Sequence, residues 1–61
     1  MPSNRDMIQM HLEHYVYDCK LSWHYIPDWA DLLSYCSGYY GEVTLDMIQI
    51  VRKLQREGKI E

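Results

Sequence analysis

Apolar positions fall into blocks with helical period, separated by short polar or turn-forming stretches. In the first block Ile8, Leu12, Tyr15, Val16 and Cys19 recur at i, i+4, i+7, i+8 and i+11, which is one face of a helix. A second set, Met7, Met10, His14, Tyr17 and Leu21, recurs at i, i+3, i+7, i+10 and i+14, almost opposite the first. A helix apolar on two faces is sandwiched between elements or used at an interface. In a small domain the second face has few internal neighbours, so it is expected to form a homodimer or partner surface. The competing account is that Met and Tyr simply tolerate water. Ser3 or Asn4 is placed to cap this helix, with Asp6 in its first turn.

The segment Leu21-Ser22-Trp23-His24-Tyr25-Ile26 shows partial period-two alternation and predicts a short strand. Pro27 or Asp28 opens the next helix, whose core face is Trp29, Leu32, Leu33 and Cys36. Gly38 reads as its C-terminal stop, with a loop over 37–42. Thr44 caps a third helix with a broad apolar face of Met47, Ile48, Ile50, Val51 and Leu54. Gln49, Arg52, Arg56 and Lys59 recur at i, i+3, i+7 and i+10 on its other side. Gly58 ends that helix, and residues 59–61 begin a strand that is expected to pair with 21–26. The expected fold is mostly α: a single small domain over 1–61, three helices and at most a minimal two-stranded sheet.

Composition narrows the class. Sixty-one residues, 48% of them hydrophobic, describe a folded domain rather than a disordered chain. A chain this short buries only about 60% of its unfolded surface, so a partner or a second copy would add stability. The apolar set holds six Tyr, four Met, two Trp and no Phe, which leans towards interfaces and shallow cores. No apolar run approaches the length of a membrane span and no apolar leader region is visible, so a soluble, cytoplasmic protein is expected. Two cysteines, Cys19 and Cys36, are too few for a disulfide framework and read as reduced core thiols.

Net charge is −3, unevenly placed. Residues 1–31 set Arg5 and Lys20 against Asp6, Glu13, Asp18, Asp28 and Asp31. Residues 32–61 balance Arg52, Lys53, Arg56 and Lys59 against Glu42, Asp46, Glu57 and Glu61. Every C-terminal cation therefore lies between positions 52 and 59, a local basic patch on an acidic protein.

The cadence of residues 44–61 carries a resemblance. A capped amphipathic helix, Leu54, then Glu57-Gly58-Lys59-Ile60 is similar to the way the third helix of winged helix-turn-helix domains runs into the wing. The similarity covers residues 21–61 and is strongest in 47–60. It implies a winged-helix-like domain and a regulatory DNA-binding function, with the helix over 44–57 contacting duplex DNA. Thr44 and Gln49 would then lie near bases, with Arg52, Arg56 and Lys59 on phosphates. Against this, Glu42 and Asp46 put acid at the end of the helix that usually meets DNA. The competing account of the stripe is a solvated polar face.

Other chemistry is less well supplied. His11 and His14 at i, i+3, with His24, Cys19 and Cys36, lack the close paired spacing of zinc sites, so no metal or other cofactor is expected. Cys36 falls on the apolar face, where a thiol is ordinarily inert, and no glycine-rich phosphate loop or nucleophile elbow is present, so an enzyme is not expected. The alternative to DNA binding is a protein-binding adaptor or inhibitor. It would present Met7, Met10 and Tyr17 from the first helix and Tyr39 and Tyr40 from the loop between glycines, with Trp23 and Trp29 in the core.

Overall fold

The computed structural model describes residues 3–61. Three helices form: α1 (Asn4–Ser22), α2 (Trp29–Tyr40) and α3 (Leu45–Arg56). Each begins at a side-chain cap. The Ser3 hydroxyl accepts from the Asp6 amide, and the Thr44 hydroxyl accepts from the Met47 amide. Asp28 and Asp31 form a reciprocal capping box at the start of α2. These bonds occupy amide donors that a helix start otherwise leaves open.

The core is built around α3. Met47, Ile50, Val51 and Leu54 are buried against Leu12 and Val16 of α1, Leu32 and Cys36 of α2, and Ile60 beyond α3. Ile8, Tyr15, Trp29, Tyr35 and Tyr40 pack around this cluster half-buried. Cys19 and Pro27 are buried where α1 hands over to α2, and both cysteines are free thiols. Side chains of this size contribute about 1.5–3 kcal/mol each on full burial, so the four from α3 anchor the domain.

Three local expectations are corrected. No strand forms over 21–26 or anywhere else among the described residues. Trp23 closes α1 in right-handed helical conformation and His24 follows at φ +57, so the chain reverses where an extended segment was expected. The C-terminal residues bond instead to the entry of α2. The Trp29 amide donates to the Glu61 carbonyl at 2.8 Å, and the Glu61 amide donates to the Pro27 carbonyl at 3.1 Å. Second, α2 runs through Gly38 and stops at Gly41, which takes the left-handed conformation at φ +86 and donates its amide to the Ser37 carbonyl. The loop over 37–42 thus shrinks to a connection of residues 41–44. Third, Trp23 is 56% exposed rather than buried.

Among the described residues no helix is long and apolar enough to cross a membrane.

Candidate functional site

The outward face of α3 is set by the register of its core face. With residues 47, 50, 51 and 54 buried, the 3.6-residue period turns Leu45, Gln49, Arg52 and Arg56 directly away from the core. All four are exposed. In the core, burial pushes the Cys36 thiol up from its ordinary 9.0, which keeps it neutral.

The stripe divides into two halves with different surroundings. In its N-terminal half the Arg5 guanidinium reaches across from α1, donates to Gln49 Oε1 at 2.7 Å and lies 3.6 Å from Asp46 Oδ1. This neutralises part of the acid at the start of α3 and holds Gln49 in a fixed pose. In its C-terminal half the Arg52 guanidinium sits 5.9 Å from the centre of the Trp29 ring, a cation–π arrangement. Trp29, Arg52, Gln55 and Arg56 line a shallow depression there. Arg52, Lys53 and Arg56 make no ion pair among the described residues.

The five residues expected at DNA are thus placed differently from one another. Arg52, Arg56 and Gln49 share the outward stripe. Thr44 spends its hydroxyl on the α3 cap. Lys59 lies beyond the helix, 3.7 Å from both Glu13 of α1 and Glu57. It is a tie between α1 and the segment after α3. Arg5 and Trp29 were not legible as members of this surface. Arg5 is separated from Gln49 by 44 positions, and no local pattern links them.

The expected aromatic and Met surface is partly brought together. Met7, Met10 and Tyr17 are exposed on the side of α1 opposite its core face, as is Leu21. Tyr39 is 63% exposed, whereas Tyr40 is half-buried inside α2 rather than in a loop. The Tyr40 hydroxyl lies 2.8 Å from His11 Nδ1, and the Tyr35 hydroxyl lies 2.7 Å from His11 Nε2. His11 therefore joins α1 to α2 through both ring nitrogens, a structural role. Stacking extends the cluster: Tyr15 lies on Tyr35 with centroids 3.9 Å apart, and Tyr35 stacks on Tyr39 at 5.6 Å. No group of three or more His, Cys, Asp or Glu side chains gathers to hold a metal among the described residues.

Comparison with known proteins finds no family model, no curated protein and no solved structure that matches this chain.

Proposed function

We propose that this chain is a small regulatory DNA-binding protein with a winged-helix-like arrangement, which lays the outward face of α3 against duplex DNA. The observation that carries the proposal is the Leu45–Gln49–Arg52–Arg56 stripe, exposed along its whole length, in which Arg52, Arg56 and the adjacent Lys53 make no ion pair among the described residues. A helix pair joined through residues 41–44 supports it, because helix-turn-helix motifs join their two helices by turns of about three or four residues that often contain glycine. Glu61, bonded to the entry of α2, supports the winged-helix likeness by placing the segment after α3 beside the segment before α2.

Arg52, Lys53 and Arg56 contact phosphates in this proposal. Gln49, held by Arg5, faces the base edges, and Leu45 offers an apolar contact. Contact with three phosphates implies that log K falls with log salt at a slope of about −2.7. The R52E/R56E variant is expected to lose binding at low salt while keeping its helical circular dichroism. Binding that survives the double charge reversal, or that ignores salt, contradicts the proposal.

A second reading, a protein-binding adaptor or inhibitor, is favoured by the exposure of Met7, Met10, Tyr17 and Tyr39 on a chain with net charge −3. That function would persist in R52E/R56E and tolerate salt, because apolar burial would drive it.

A further inference from the structure

The outward face of α1 has a regularity that the core does not require. Met7, Met10, His14, Tyr17 and Leu21 follow alternating spacings of three and four, the a and d positions of a heptad repeat. Nothing within the described chain covers them. Met7 is 52% exposed, Met10 66%, Tyr17 59% and Leu21 58%. The residues flanking this seam carry charge: Glu13 and Lys20 lie on one side and Asp18 on the other.

From this pattern we infer that α1 pairs with α1 of a second copy, antiparallel, about a two-fold axis between His14 and Tyr17. The charges select this occupant and this orientation. In the antiparallel register Met10 faces Leu21 of the second copy and His14 faces Tyr17. Glu13 then meets Lys20, and the two-fold axis repeats each contact. A parallel pair would instead set Glu13 beside Asp18 of the second copy, acid against acid, on both sides. Lys20 makes no ion pair within the chain among the described residues, so it is available for this contact. Glu13 already meets Gln9 and Lys59, and both contacts use Oε1. The seam does not involve the α3 stripe, so the dimer stands or falls independently of DNA binding.

Sedimentation equilibrium is the first test. The wild-type chain is expected to show a concentration-dependent monomer–dimer equilibrium. A monomer persisting to about 1 mM, the weak end of specific affinities, overturns the inference. Lys20→Glu should weaken the dimer about tenfold by turning two attractive contacts into repulsive ones, and E13K/K20E should restore it. A K20E chain that dimerises like the wild type overturns the register. Orientation is read by mixing Met10→Cys and Leu21→Cys chains under mild oxidation. The antiparallel pair predicts a cross-link between the two variants and little within either; cross-linking of each variant to itself overturns it. Both substitutions are at exposed sites, and near-ultraviolet circular dichroism of each variant checks that the fold is kept.

Discussion

At the scale of single residues, burial shifts the titration of several side chains. Burial pushes Tyr35 and Tyr40 up from their ordinary 10.0 and Cys36 up from 9.0, and Tyr15 shifts the same way with Cys19 contributing. In each case the folded chain favours the neutral form. An unfolded chain ionises these groups from pH 9 to 10 upward, so the fold keeps their full contribution below that range and loses it as pH rises from there through the raised folded pKa values. The midpoint of urea unfolding should therefore fall steeply between about pH 9 and pH 11, with a shallower fall in Tyr35→Phe. A midpoint that is flat or rises over that range contradicts this account. The His11 bridge to Tyr35 and Tyr40 was not legible in the sequence. Its partners lie 24 and 29 positions away, and no local pattern links them to His11, which the sequence alone places at a surface or interface.

At the scale of elements, the two glycines near the end of α2 have opposite roles. Gly41 sits at φ +86 as the left-handed cap, whereas Gly38 lies within the helix with nothing within 4 Å of where a Cβ would go. Gly38→Ala should therefore stabilise the domain by about 0.5–1 kcal/mol, through the lower entropy cost of ordering alanine. Gly41→Ala should destabilise it by about 1–2 kcal/mol, because the left-handed conformation crowds Cβ. Thermal unfolding of the two variants measures both signs, and stabilisation by both would place the helix end elsewhere. This pair also marks the limit of the sequence as a guide. The existence of all three helices was legible, because Ser3, Asp28 and Thr44 stand before periodic apolar runs. Which glycine takes positive φ was not, since either satisfies the same stop signal; the helix runs on through Tyr40, whose hydroxyl reaches His11. The alternation at 21–26 misled for a related reason. Trp23 and Tyr25 stack on each other at 6.2 Å beside Tyr15, so their spacing serves a turn and an aromatic cluster rather than a sheet.

At the scale of the whole molecule, the charge pattern matters more than the net charge. The chain is acidic overall, yet in the C-terminal half of α3 Arg52, Lys53 and Arg56 make no ion pair among the described residues, while Lys59 is consumed by Glu13 and Glu57. The basic stripe was legible from its period, and so was the core face beneath it. The division of that stripe into free cations and internal ties was not, because it depends on Arg5 and Glu13 arriving from α1. The most direct measurement is a ¹⁵N–¹H correlation spectrum of the labelled protein titrated with mixed-sequence duplex DNA at low salt. Docking of α3 predicts shifts in the amides of Leu45, Gln49, Arg52, Lys53 and Arg56 that reverse when salt is added. A spectrum unchanged by DNA, or shifts confined to Trp23, Tyr39 and the outward face of α1, would contradict the central claim.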